Sequence, residues 1–249
     1  MDAINKAFEI LELFLHSEEE LSINDVSERT KITYPTAHRI TSALVKRGYL
    51  LQPEKRGKYS VHPGKLSEFI GIIRKKLNVR TIALPYLHDL SQTVNEAVLL
   101  GVRRGHAAIN IDVVNRGRLL NVTPDTATLG LYYTGAGKVF LAYLTDKEFQ
   151  NYLSTLVMTP KTANTITDKD TLVKQMNEVR RIGVAFEDEE YEIGLRSIAA
   201  PIRDWEGRVV AAISIIGPTA RINKPRLAEL APIIKDYALR ISQAMGVRS

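Results

Sequence analysis

The run INDVSERTKITYPTAHRITSALVKRGY, from Ile23 to Tyr49, places two short apolar-periodic segments on either side of a tight turn, the pattern of a helix-turn-helix. In the second segment Ala37, Ile40, Thr41 and Leu44 fall on one side of a helix at ~100° per residue, which leaves Pro35, His38, Arg39, Ser42 and Lys46 on the other. That polar side carries two cations and hydrogen-bonding groups and no acid. Thr33 stands where it can cap the helix, and Pro35 is tolerated in a first turn whose backbone N–H groups have no intrahelical partner. On a duplex this assigns His38, Arg39 and Ser42 to base edges in the major groove. Thr33, Tyr34, Thr36 and Lys46 fall near phosphates, and Pro35 packs against backbone.

The flanking charge fits that assignment. From Met1 to Glu28 one Lys stands against eight acids, whereas from Arg29 to His62 eight Lys or Arg stand against one Glu. The module is strongly dipolar, with its basic half on the groove-facing side, as expected of a binder of double-stranded DNA. Ahead of it, residues 2–16 place Ile4, Ala7, Phe8, Leu11, Phe14 and Leu15 at helical spacing, a first helix directed at the core. Ser22 caps a short second helix through Arg29. After Gly48 the period changes to two, which predicts strands over Tyr49–Gln52 and Lys58–His62 joined by a five-residue loop. The module therefore reads as a winged helix-turn-helix over residues 1–62. Lys55, Arg56 and Lys58, at or beside the wing tip, reach phosphates or the minor groove.

Pro63-Gly64 punctuates the chain. A helical stretch follows that breaks near Asn78 or Val79, giving a linker helix over 63–78 and a second domain over 79–249. In that domain NEAVLLGV, AAINIDVV and LLNVT alternate as strands, and helical segments follow at Thr134–Leu144, Lys147–Leu156 and Lys169–Ile182. Strands return at Val184–Glu187, Leu195–Arg203 and Arg208–Ile216, and a closing helix runs from Pro225 to Met245. Strands, then helices, then strands of one antiparallel sheet give an α+β class.

The 249 residues suit one or two domains, and 45% apolar with 25% charged residues is ordinary for a globular protein. No apolar run approaches the ~20 residues needed to span a bilayer, so no membrane partner and a cytoplasmic location are expected. The absence of cysteine excludes disulfides and thiolate sites. Five scattered histidines show no metal-ligand spacing, and no G-x-S-x-G elbow occurs, so neither a catalytic set nor a metal or cofactor is expected. Gly135-Ala136-Gly137-Lys138 resembles a phosphate loop only superficially, because Tyr132 and Val139 occupy positions that such a loop gives to Gly and to Ser or Thr. Those glycines instead let backbone approach a ligand at a helix start, where free N–H groups favour a carboxylate. In the acidic run Glu187-Asp188-Glu189-Glu190, all but Glu187 read as a solvated loop.

Taken together, the winged helix-turn-helix, TGAGKVFLAYL at Thr134–Leu144, GVAFEDEEYEIGLRSIAAPI from Gly183 and VVAAISIIGP ending at Pro218 resemble the IclR family of transcription regulators over nearly the whole chain. The resemblance implies a GAF-like effector domain that binds a small metabolite, and homodimers or dimers of dimers on pseudo-palindromic operators. It also implies an effector pocket with Gly135 and Ala136 on one wall and Glu187, Ser197, Ser214 and Ile216 on the other. This chain departs from many relatives in carrying Glu187 for Asp and Ser197 for Cys, and from some in carrying Ile216 for Ser, and Gly130 and Tyr132 stand where Pro and His are frequent. The turn position of Lys31 is commonly Gly, so Lys31 is expected in a left-handed conformation at a cost of about 1 kcal/mol. A small organic acid or an aromatic metabolite is the expected effector, the latter if Tyr132 and Tyr133 face inward. A ligand-responsive regulator is thus the leading reading. The alternatives are a small-acid enzyme using Glu187 as acid/base with the helix-turn-helix for assembly, and a constitutive DNA-binding protein whose pocket is filled by side chains.

Overall fold

A computed structural model of the chain describes residues 3–17, 19–53, 57–65, 78–115 and 129–247, in two compact units, Met1–Lys76 and Leu77–Ser249. In the first unit α1 (Ala3–Leu15) buries Ile10 and Phe14, while Ile4, Phe8 and Leu15 are exposed. The expected core face is therefore wrong for those three positions. The helix is apolar on more than one stripe, and periodicity alone does not say which stripe meets the core. Ser22 caps α2 (Ile23–Thr30) through a capping box: its hydroxyl accepts the Asp25 N–H at 3.2 Å, and the Asp25 carboxylate accepts the Ser22 N–H at 2.7 Å. Lys31 then turns the chain at φ 55°, the left-handed conformation expected of it.

The second helix of the motif, α3, spans Tyr34–Lys46. Thr33 is its N-cap residue, but the threonine hydroxyl bonds the Thr36 hydroxyl at 3.1 Å and not a backbone N–H, so the expected side-chain cap is absent. Gly48, at φ 76°, closes the helix. Its N–H donates to Val45 O and the Tyr49 N–H donates to Leu44 O, each at 2.9 Å. The wing strands are shorter than expected, β1 (Leu50–Leu51) pairing with β2 (Ser60–Val61). Tyr59 pairs with Leu21 instead, through backbone bonds of 3.0 and 2.8 Å in the two directions, tying the hairpin to the loop before α2. Lys55, Arg56 and most of the expected linker helix lie outside the described residues.

The second unit is built on a six-stranded antiparallel sheet. After α4 (Val79–Val94) come β3 (Ala97–Arg104), β4 (Ala107–Val114), β5 (Leu129–Gly130), α5 (Gly135–Ala142), α6 (Asp146–Thr155), α7 (Lys169–Ile182), β6 (Ala185–Asp188), β7 (Leu195–Arg203), β8 (Val209–Pro218) and α8 (Lys224–Ala244). The order across the sheet is β5-β4-β3-β8-β7-β6. The expected strand at 119–123 lies outside the described residues, and β5, two residues long, is too short for a pattern to reveal.

Alternation gives this sheet two unlike faces. One presents Val98, Leu100, Ile198, Ile202, Ile213 and Ile215 to α4 and α8, which contribute Leu87, Leu90, Ile234 and Ile241. Each such fully buried side chain stabilises the fold by roughly 1.5–3 kcal/mol. The other face is lined by small residues, including Ala108, Ala185, Ala199 and Ala212, and packs against α5 and α7. Small side chains let α5 approach closely. A Cβ on Gly135 would sit 2.9 Å from Ser197 Oγ and 3.3 Å from Ala199 Cβ, and one on Gly137 would meet Leu131 O at 2.4 Å. Gly137→Ala is accordingly expected to destabilise the second unit by about 1–3 kcal/mol. Denaturation followed by the fluorescence of Trp205, the single tryptophan of the chain, measures this loss.

Candidate functional site

On α3 the apolar side does what its spacing implies. Ala37, Ile40 and Thr41 are buried, and the Thr41 hydroxyl is satisfied by the Ala37 carbonyl at 2.8 Å. His38, Arg39, Ser42 and Lys46 are exposed, as are Thr33, Tyr34 and Pro35, while Thr36 is half-buried. Tyr34 and His38 stack with centroids 6.3 Å apart and an interplanar angle of 15°, giving the face a flat aromatic edge at its N-terminal end. Lys58, beside the wing, is also exposed.

In the second unit the sheet register builds a cavity. Glu187 pairs with Ser197, and Ser197 with Ile216, so the three form one row across the sheet. Ser214 pairs with Ala199 and Leu99 in the next row. Where the small-residue face runs past the start of α5, it leaves a cavity of ≈ 280 Å³ lined by all six residues expected there: Gly135, Ala136, Glu187, Ser197, Ser214 and Ile216. Leu99, Leu129 and Leu195 add apolar wall, Asn110 and Thr134 add polar groups, and Tyr191 and Glu192 come from the segment after β6. No Lys or Arg lines it among the described residues. Such a concave, mostly apolar space with a few convergent polar groups is the usual make-up of a small-molecule site.

Glu187 is 1% exposed. Its Oε1 accepts the N–H groups of Glu190 at 2.8 Å and Tyr191 at 3.2 Å, and its Oε2 accepts the Ser197 hydroxyl at 3.2 Å. Burial outweighs these bonds and, with the neighbouring Glu190 charge, pushes the carboxyl up to about 7. At the α5 end, Thr134 Oγ1 donates to Gly130 O and accepts the Gly137 N–H, and Thr134 O accepts the Lys138 N–H. The N–H groups of Gly135 and Ala136 have no partner among the described residues.

Two expectations are corrected here. Tyr132 and Tyr133 belong to the core and not to the cavity: the Tyr132 hydroxyl donates to Thr159 O at 2.8 Å, and the Tyr133 hydroxyl accepts the Gly130 N–H at 2.8 Å. Their argument for a ring-bearing ligand therefore falls. In the acidic run after β6, Glu190 is no solvated loop residue; it is 5% exposed and paired with Lys138, which is itself fully buried and also donates to Phe186 O at 3.0 Å. The phosphate-loop likeness ends there, since that ammonium is already held. Sequence reasoning missed this pair, whose one legible sign is a charged residue inside the otherwise apolar helix GAGKVFLA. Asp188 and Glu189 are instead tied to Arg196 at 2.5 and 3.2 Å. Among the described residues no cluster has the make-up of a metal site, and no helix is long and apolar enough to cross a membrane.

With the geometry in view, residues 3–54 match the sequence profile of the IclR helix-turn-helix domain, and residues 73–243 match that of the bacterial transcriptional regulator IclR C-terminal domain. The HTH-type transcriptional regulator XynR of Escherichia coli (strain K12) is 28% identical over 248 residues, covering 99% of this chain and 98% of that protein. The crystal structure of the Thermotoga maritima IclR superposes with a TM-score of 0.65 at 30% identity, covering 98% of each chain. The Agobacterium tumefaciens repressor BlcR shares the fold with a TM-score of 0.83 at 21% identity, over 98% of this chain and 96% of that one.

Lys138→Met strands the Glu190 carboxylate in the interior and is expected to cost about 3–5 kcal/mol, because an unpaired buried charge is worse than no charge. Adding Glu190→Gln is expected to recover most of that loss. Urea denaturation of the single and double variants, read by Trp205 fluorescence, checks both.

Proposed function

Because the chain belongs to the IclR family of bacterial transcriptional regulators, we propose that α3 enters the major groove of a pseudo-palindromic operator while the cavity beside α5 receives the effector that controls binding. The protein is a ligand-responsive DNA-binding regulator. His38, Arg39 and Ser42 reach base edges, and Thr33, Tyr34, Thr36, Lys46 and Lys58 lie near phosphates. Pairing of two half-sites requires a homodimer, or a dimer of dimers, whose symmetry the operator mirrors.

The observation that carries the effector reading is the convergence of residues from α5, β6, β7 and β8 on one cavity of ≈ 280 Å³. That open volume speaks against a constitutive binder with a filled pocket. Acid/base turnover by Glu187 is disfavoured as well, since relatives such as XynR are regulators. A small organic acid is favoured over an aromatic metabolite, as the two tyrosines belong to the core while Gly135 and Ala136, in the first turn of α5, line the site.

Arg39→Ala is expected to weaken binding to the cognate operator by about 1–3 kcal/mol and relax its base preference. Fluorescence anisotropy over a salt series tests this, and an unchanged affinity and salt slope would mean the helix face is misassigned. Ser214→Leu fills the cavity and is expected to abolish the effector response while leaving operator affinity without effector unchanged. A retained response in the same assay moves the effector site elsewhere.

A further inference from the structure

The effector cavity contains a conflict of charge. Gly135 and Ala136 line it at the positive end of α5, where their N–H groups have no partner among the described residues and favour an anion. A second observation points the same way: Ser214 is 7% exposed, lines the cavity, and its hydroxyl makes no hydrogen bond among the described residues. Opposite these donors stands the Glu187 carboxyl, and no cationic side chain lines the space to offset it among the described residues. A ligand carboxylate and an ionised Glu187 would be like charges sharing one water-poor site, which is unfavourable unless one of them carries a proton.

We propose that the cavity takes a monocarboxylate, and that the ligand binds only with a proton on Glu187 Oε2, so that binding above neutral pH takes up a proton from solvent. This rests on the reading of the cavity as the effector site. The choice of atom follows from the bonding. Oε1 is occupied by two backbone N–H donors, whereas Oε2 accepts only the Ser197 hydroxyl, and a protonated Oε2 keeps a lone pair for that bond while its O–H turns to the ligand. Protonated there, Glu187 becomes a donor that joins Ser214 and the α5 N–H groups around the ligand carboxylate.

The groups that face Glu187 favour this outcome. From its own segment Glu190 contributes a negative charge, and from α5 Lys138 contributes a positive one that is already committed to Glu190. Glu192 adds an acid at the cavity wall on an exposed residue. The facing positions of β3, β4, β7 and β8, namely Leu99, Asn110, Ser197, Ser214 and Ile216, carry no charge. With the carboxyl already pushed up to about 7, the proton is available near neutrality, and a nearby ligand carboxylate raises it further. The same lack of cations excludes a second carboxylate or a phosphate on the ligand.

Calorimetric titration of the full chain with propionate and benzoate, their dicarboxylate counterparts succinate and phthalate, and the amides propionamide and benzamide tests the proposal. The expected result is a Kd for a monocarboxylate that rises about tenfold between pH 6 and pH 8, as single-proton linkage at a carboxyl near 7 requires. Heats in phosphate and in Tris at pH 8 should then report close to one proton taken up per ligand. Dicarboxylates should bind at least tenfold more weakly. Glu187→Gln, which mimics the protonated acid, should bind the monocarboxylate with the low-pH affinity at every pH. If that variant fails to fold, the two-buffer heats of the unaltered protein decide alone. Affinity independent of pH with no proton uptake overturns the proposal, as does equal binding of dicarboxylates. If the amides bind better than the acids and Ser214→Leu blocks them, the cavity reading survives and the proton linkage does not. If no probe binds, both fail.

Discussion

The buried pair of Lys138 and Glu190 is the interaction on which the arrangement of the second unit turns. A fully buried ammonium is tolerated only where its charge is matched and its protons are accepted, and here one carboxylate and the Phe186 carbonyl do both. Burial draws the lysine below its ordinary range, and the Glu190 charge opposes that shift. Because Lys138 sits on α5 and its partners lie at β6 and in the segment after it, the pair clamps the helix to the sheet edge. It also sets the backbone whose N–H groups reach Glu187. The α5 N-terminus and the Glu187 carboxyl thus face one another across the cavity because of contacts made behind it.

That clamp works because of a prior constraint, the unequal faces of the sheet. Branched residues on one face make the main core with α4 and α8, and alanines and serines on the other make room for α5. Gly135 and Gly137 bring the helix within contact of Ser197, Ala199 and Leu131, distances that no side chain would allow. The cavity is the part of this small-residue face that the helix does not cover. Its polar groups are consequently few, and they come from register neighbours: Glu187 beside Ser197, and Ser214 one row away.

The first unit poses a simpler problem. Its core of Ile10, Phe14, Leu21, Val26, Ala37, Ile40, Leu50 and Tyr59 holds α3 by one side, so the other side is free to carry a surface chosen for a partner. Lys31 in a left-handed turn and Gly48 in a Schellman closure set where that helix begins and ends. The exposed side of α3 carries no acid, in a chain with 28 acids, which supports the proposed contact with a polyanion.

By itself the sequence determined the helix-turn-helix, the buried and exposed sides of α3 and the α+β class, whereas the residues expected at the cavity came from the family resemblance. The first three rest on local spacing or on a row of alternating residues, and both survive any packing. Elsewhere local spacing was insufficient. It offered α1 more than one apolar stripe and could not choose between them, and it left Tyr132 and Tyr133 equally able to face ligand or core. It read Glu190 as a loop acid and passed over Lys138, because their pairing joins positions 52 residues apart. Only the tertiary structure decided which charges are buried together, since the cost of burying a charge depends on what the rest of the chain brings beside it. From that came the raised Glu187 carboxyl and the proton it can hold.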